Sequence, residues 1–416
     1  MIKNHILYNS FSDWTFNTNK AEGSFIWNEK GEKLIDFTSG WNVVNLGWNN
    51  PEITDAASRQ LFRGSYAPMW TSNECLENFA SELSKVLPKE LDTYLRTTGG
   101  TESNEKALML ARNITKRKKI IGFKDTYHGQ SYGTISIGYR PEYVLDEAPT
   151  VPEFIQIDFP RRTGDDQKDK VVLEKFSVNL EKILKNEDIA AIVTEAGIIT
   201  GWGSTFVAPE SYLTIVRKLT EKYGTLLILD EVGTGFSRCG KLFGMNIENI
   251  VPDLATFAKG LTNGVGAMGG VAVKSSYGEE LLSNAKTTST FGWMPVSVAA
   301  ATKVLEIHIR DKVYEKASEM GKYMLNEMKG EFSSGTSIQA DGLGMEIGLT
   351  FIKSDGISVD EKTAKTVASA ALKKGLHLVY GGDGNIQIMP PLTTSKNVLS
   401  KGLEILFETV KTVIKK

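Results

Sequence analysis

LLILDEVGTGFSRCG, residues 226–240, opens with four aliphatic residues in a row. Such a run has no polar face, so it predicts a strand buried on both sides, as in a parallel sheet with helices above and below it. It ends in two carboxylates, Asp230 and Glu231, followed by a glycine-rich turn. A carboxylate at the end of a buried strand commonly serves as a cap or in an ion pair. It becomes functional where a cationic nitrogen is held against it, because it then keeps that nitrogen protonated.

Outward from that strand, apolar and helical stretches alternate from about residue 90. YLRTTGG leads into the helical ESNEKALMLARNITKRKK, and KIIGFKD and IAAIVTEAG (189–197) read as strands. PESYLTIVRKLTEKYG is the helix before TLLILDE, and ATFAKG and GGVAVKS are strands after it. The alternation predicts an α/β fold with a mostly parallel sheet, whose ligands gather at the carboxyl ends of its strands. Upstream, GSFIWNEKGEKLIDF (23–37) reads as two short strands around a turn at Glu29-Lys30-Gly31. Downstream, one long helical pattern starts near Val296, and smaller strands and helices fill 337–416, with a terminal helix from about Ser395. The polar stretch PRRTGDDQKDK (160–170) reads as a solvated loop.

A chain of 416 residues has room for two domains. Its formal net charge of −2 offers no bulk attraction to nucleic acid or to an anionic membrane. The basic run 116–119 is placed in the last turn of a helix, where cations complement the dipole; no basic stripe accompanies it. Cys75 and Cys239 are the only cysteines, so no disulfide framework is implied. MIKNHILYNSFSDW has no apolar leader region and no run approaches membrane-spanning length, so a cytoplasmic, soluble protein is expected.

Three further stretches carry candidate chemistry. In TTGGTESNEKALMLAR (97–112), two glycines precede a helix whose N-terminus presents free N–H groups. That is either a phosphate site or simply a helix capped by Thr101, with Asn104 or Glu105 near the third position. Tyr127-His128-Gly129 closes the strand KIIGFKDT, where an aromatic ring either packs or covers a flat ligand. In PDLATFAKGLTNGVGAMGG (252–270), Lys259 follows an apolar run and is either a snorkelling surface lysine or a desolvated amine nucleophile.

Taken in order, TGGTESNEKALMLAR, TYHG, LLILDEVGTGFSRCGKLFG, PDLATFAKGLTNG, TSTFGWMP and MPPL resemble the class III aminotransferases, pyridoxal-phosphate enzymes of fold type I. The resemblance covers nearly the whole chain from about residue 23. It implies an N-terminal segment, 1–48, packing with the small domain. It also implies a large cofactor-binding domain over 49–303, with helices on both faces of a mostly parallel sheet, and a smaller α+β domain over 304–416. On this resemblance Asp230 pairs with the protonated pyridine nitrogen, and Lys259 holds the cofactor as a Schiff base and then moves protons. Gly100 and Thr101 bind the phosphate, Tyr127 and Val232 sandwich the ring, and Thr290 reaches the cofactor phosphate of the neighbouring subunit in a homodimer.

Members of that family acting on amino diacids or 2-oxoglutarate commonly anchor carboxylates with two arginines. The matching positions here are Gln130 and Gln387, and a neutral amide does not replace a charged fork. Gly233 stands where the family often has glutamine, and Glu195 keeps an acidic position but is followed by Ala196 instead of proline. Trp41 aligns with a pocket-lining position, and Trp70 is placed to reach the same pocket from the partner subunit. Both either shape a roomy substrate pocket with Gln130, Glu195 and Gln387 or pack the dimer interface. Arg63, Arg140 and Arg238 remain as arginines that could swing in. The implied function is transfer of an amino group between a primary amine, not a dicarboxylic amino acid, and a 2-oxo acid or aldehyde by a ping-pong mechanism. The alternatives are an aminomutase or epimerase on the same scaffold, or a catalytically silent protein.

Overall fold

The aliphatic run of 226–229 lies in the middle strand of the largest sheet. The structure, a computed structural model, describes residues 2–3, 6–7, 14–138, 150–284, 287–332, 337–353 and 359–414. Among these the largest sheet has seven strands: β1 (Thr93–Thr97), β2 (Lys119–Phe123), β3 (Phe154–Ile157), β4 (Ile189–Glu195), β5 (Leu226–Asp230), β6 (Leu254–Phe257) and β7 (Gly269–Val273). Their spatial order is β1-β7-β6-β5-β4-β2-β3, and only β7 runs antiparallel to its neighbours. Every residue of β4 and β5 is buried. Successive side chains of β5 enter two different cores: Leu227 and Leu229 join Tyr212, Leu213 and Val216 of the helix Tyr212–Lys222 on one face. Leu226 and Ile228 join Ala107, Leu110 and Ala111 of the helix Gly100–Thr115 on the other. Burial on both faces is why the sequence shows an unbroken apolar run and no alternation.

The parallel register sets the site. Asp230 lies opposite Glu195 of β4 and Thr256 of β6, so the two carboxyl groups and the approach to Lys259 emerge at one end of the sheet. β1 ends at Thr97, just before the helix that begins at Gly100.

Besides two two-stranded sheets, the described residues form two smaller four-stranded ones. One joins Ile338–Leu343, Glu346–Phe351, Asn385–Ile388 and Val379–Tyr380, all antiparallel. The other joins Phe16–Glu22, Phe25–Asn28 and Lys33–Asp36 to the C-terminal strand Leu376–His377, which pairs in parallel with Lys33–Asp36. The N-terminal strands thus share a sheet with residues near the C-terminus. Helix Pro295–Arg310 runs unbroken across the boundary expected between 303 and 304. No helix among the described residues is long and apolar enough to cross a membrane.

Three details differ from expectation. The polar stretch 160–170 is not all loop, because Asp165 caps the helix Asp166–Leu184 by accepting from the amides of Gln167 and Lys168, each at 3.0 Å. The long helical pattern from Val296 is two helices, Pro295–Arg310 and Val313–Glu331, broken where Lys312 takes a left-handed φ of 47°. The basic run 116–119 lies just beyond its helix, which ends at Thr115. There Arg117 clasps the carbonyls of Ile189, Tyr223 and Gly224 at 2.8–3.1 Å.

Candidate active site

Asp230 is 2% exposed, and a bare carboxylate so deeply buried would be strongly disfavoured. Its partners compensate. Oδ2 faces His128 Nδ1 at 2.7 Å and accepts from Asn104 Nδ2 at 2.8 Å, while Oδ1 accepts from the Val232 amide at 2.9 Å. Burial alone pushes this carboxyl up, but His128, Val232 and Asn104 outweigh it, and the group is held below its ordinary range. Asn104 is itself fixed, with its second N–H on the His128 carbonyl and its oxygen on Thr256 Oγ1. His128 is buried, and its Nε2 has no partner among the described residues.

A cavity of about 330 Å³ opens beside this carboxylate. Its lining includes Gly100, Thr101, Tyr127, Glu195, Asp230, Val232 and Lys259, so the structure brings these seven predicted residues to one place. Lys259 sits at a left-handed φ of 47°, two residues past the end of β6, and its Nζ bonds no described residue. The helix behind Gly100 starts from Gly99 with no side-chain cap, so Thr101 is not the N-cap and the first-turn amides stay available. A Cβ on Gly100 would stand 3.0 Å from Val232, so glycine lets that side chain reach the helix N-terminus. Tyr127 lies edge-on to Trp202, with ring centroids 5.2 Å apart.

Glu195 forms the opposite wall. Both its oxygens accept from the Thr200 amide, at 3.2 and 3.1 Å, and Thr200 Oγ1 also bonds Oε2. Burial, and secondarily the charge of Asp230, push this carboxyl up to about 7. A Cβ on Gly233 would stand 2.0 Å from Thr200 Oγ1, so the threonine fills the space a side chain at 233 would need.

The remaining predicted residues do not line the cavity. Gln387 is fully buried one hydrogen bond behind it and accepts from Trp41 Nε1 at 3.0 Å. Its own Nε2 donates to the Thr200 carbonyl at 2.9 Å and to Glu346 at 2.7 Å. Gln130 and Thr290 are exposed, and Trp70 is 79% exposed. Of the arginines that could swing in, Arg238 is fully buried and donates to the Met345 and Pro390 carbonyls, Ser39 Oγ and Asn45 Oδ1. Arg63 is exposed at a helix end, and Arg140 lies outside the described residues. Sequence reasoning gave no role to His128, Thr200 or Glu346, and it weighed Asn104 only as a cap partner. His128 had a signal, since it follows Tyr127 directly, although both lie beyond the expected strand, which ends at Phe123.

These features fit pyridoxal phosphate: an uncapped helix N-terminus for a phosphate, a half-buried lysine with no partner among the described residues for an aldehyde, and an anionic carboxylate for a ring nitrogen. Comparison with known proteins points the same way. The family described as Aminotransferase class-III matches residues 8–410. The acetylornithine aminotransferase of Lactococcus lactis is 31% identical over 401 residues, covering 96% of this chain and 98% of its own. The alanine/serine racemase of Pyrococcus horikoshii is 29% identical over 412 residues, covering 94% and 84%. Among solved structures, an (S)-enantioselective omega-transaminase from Thermomicrobium roseum superposes with a TM-score of 0.88 at 29% identity, covering 99% of this chain and 95% of that one.

Proposed function

This chain belongs to the class III aminotransferases, which work with pyridoxal phosphate, and from that premise we propose that it moves the amino group of a primary amine lacking a second carboxylate to a 2-oxo acid or an aldehyde. The charge around the cavity carries this proposal. Among the described lining residues, one lysine, Lys259, stands against two carboxyl groups, Asp230 and Glu195, with no arginine. A second substrate carboxylate would meet no guanidinium there, and the anionic Asp230 adds like charge.

The bound cofactor supplies an electron sink for the bond-breaking step at the amino carbon. Asp230, kept anionic by His128, Asn104 and the Val232 amide, would hold a proton on the ring nitrogen. Lys259 Nζ would carry the cofactor and then move a proton to and from the substrate carbon in each of two ping-pong half-reactions. The amides of Gly100 and Thr101 would bind the phosphate, and Tyr127 and Val232 would confine the ring.

The working unit proposed is a homodimer with shared sites. Phe62, Trp70, Phe291 and Tyr66 are 87%, 79%, 58% and 45% exposed, and such apolar surface marks an interface. Thr290 lies among them, its carbonyl 3.5 Å from Tyr66 Oη, and the Tyr66 and Phe291 rings touch edge to face. Two free cysteines favour a cytoplasmic setting. A second reading, racemisation or epimerisation on the same scaffold, is favoured by the racemase relative and by the lack of an arginine for a diacid acceptor.

The test mixes holoenzyme with amines and no acceptor while the cofactor's absorbance is followed. The panel holds neutral amines, diamines, acetylornithine, glutamate, alanine and serine. Neutral amines or diamines should convert the spectrum with kcat/KM at least about tenfold above glutamate, the size of one lost charge-assisted bond. Glutamate as the best donor would overturn the proposal, and isomerised alanine or serine with an unchanged spectrum would establish the second reading.

A further inference from the structure

Ser39, Gly40, Trp41 and Asn42 all lie in the left-handed region, with φ of 49°, 58°, 69° and 63°. That conformation is disfavoured for the three that are not glycine, so side-chain contacts must hold the turn. Ser39 Oγ donates to the Met389 carbonyl at 2.7 Å, Trp41 Nε1 to Gln387 Oε1 at 3.0 Å, and Asn42 Nδ2 to Glu346 Oε2 at 2.8 Å. Glu346 Oε1 accepts from Thr205 Oγ1 at 2.6 Å and from Gln387 Nε2 at 2.7 Å. Only donors reach Glu346, which suits a carboxylate, and it is fully buried.

The orientation of Gln387 follows from its partners. An indole N–H can only donate and a backbone carbonyl can only accept, so Oε1 must face Trp41 and Nε2 must face Thr200. The second amide proton then goes to Glu346. No N–H of Gln387 is left for a substrate. Thr200 and Val43, which flank this network, both line the cavity. Burial pushes the Glu346 carboxyl up, opposed by the Arg238 charge and by the bonds from Thr205, Gln387 and Asn42; the Arg238 N–H groups themselves point at Ser39, Asn45 and two carbonyls.

We propose that Glu346 is a specificity-determining positioning residue: by engaging Gln387 and Asn42 it braces the Trp41 turn, and it sets a carboxylate behind the substrate wall where a donor could otherwise bind a substrate carboxylate. The inference rests on the proposed preference for substrates without a second carboxylate, and it adds the residue that enforces it. An arginine introduced at 387 would stand within bonding reach of Glu346 and be neutralised there, so it could not serve a substrate until Glu346 lost its charge.

The experiment compares holoenzyme of wild type, Gln387→Arg, Glu346→Gln and the double variant, with 2-oxoglutarate and propanal as acceptors. The readout is the ratio of their kcat/KM values, with KM and kcat separated. Gln387→Arg alone should move the ratio by less than about threefold, and the double variant should raise it by about tenfold or more through KM, as one recovered ionic bond predicts. Equal ratios in the single and double variants would overturn the inference. Should the Glu346 variants fail to bind cofactor, Gln387→Arg alone decides: a tenfold gain with Glu346 present overturns it, and no gain supports it. A wild type whose best donor is glutamate defeats the proposed substrate class instead, which separates the two failures.

Discussion

Around Asp230 the polar groups stop one partner short, whereas around Glu346 they close on one another. His128 Nε2 and Lys259 Nζ are without a partner among the described residues, and the helix from Gly100 has no side-chain cap. Glu346, by contrast, takes three side-chain donors, and Gln387 has both N–H groups and its carbonyl engaged. A buried polar group left unpaired costs about 1–3 kcal/mol. The open end therefore stands because something else completes it, and the closed end is complete before any substrate arrives. On the proposed reading, one end of the site receives a charged ring and the other turns charge away.

The sharpest way to break that comparison is Lys259→Ala. The protein should fold, yet it should hold no borohydride-fixed cofactor and show no turnover. A variant that still retained reducible, covalently bound cofactor would mean that the open lysine is not the attachment point. Asp230→Asn should come next, binding cofactor but slowing the half-reaction by about 10²–10³, the loss expected when one fixed charge leaves a reacting centre. Near-native turnover in single-turnover absorbance measurements would show that the carboxylate is only a cap at a strand end.

The open end was largely legible in the sequence, and the closed end was not. Asp230 ends a strand, and Gly100 and Lys259 come three and two residues after one, so an apolar run and the turn after it reveal them, and the sheet then brings them together. What the sequence hides is who serves them: Asn104 and His128 lie 126 and 102 positions from Asp230. The closed end is harder still, because Trp41 and Gln387 are 346 positions apart and Asn42 and Glu346 are 304 apart. A glutamine in IQIMPPL reads as a missing arginine, while its structural partners come from segments no local pattern connects. The start of the helix Asp166–Leu184 is hidden for a different reason, since its first turn is polar and its Asp165 cap resembles loop chemistry.

His128→Ala sharpens the comparison at a smaller scale. It removes one bond to a buried charge, so the half-reaction should slow by about tenfold, while His128→Asn, which can still donate, should recover part of the loss. If His128→Ala matched Asp230→Asn in severity, the imidazole would have a role of its own, through the Nε2 that no described residue contacts.

The smallest effect belongs to the joint between the two ends. Glu195 lines the cavity with Asp230, yet through Thr200 it connects to Gln387. Burial and then the Asp230 charge raise its carboxyl from an ordinary 4.5 to about 7. The folded protein therefore holds this proton more tightly than the unfolded chain does. The stability it contributes is full below about pH 4.5 and is lost as the pH rises through about 7. Asp230 has the opposite sign: with its carboxyl held below 3.8, its contribution is present above that value, is lost only in stronger acid, and is flat across the same window. Denaturant titrations of the cofactor-free protein between about pH 5 and 8 should thus show wild type losing stability faster than Glu195→Gln, by at most about 1.4 kcal/mol per pH unit. The substitution keeps an acceptor for Thr200 and removes only the titration, so the difference isolates one proton from the other buried carboxyls. Parallel profiles would mean that Glu195 stays in one protonation state throughout, and that the open end of the site stops at Asp230.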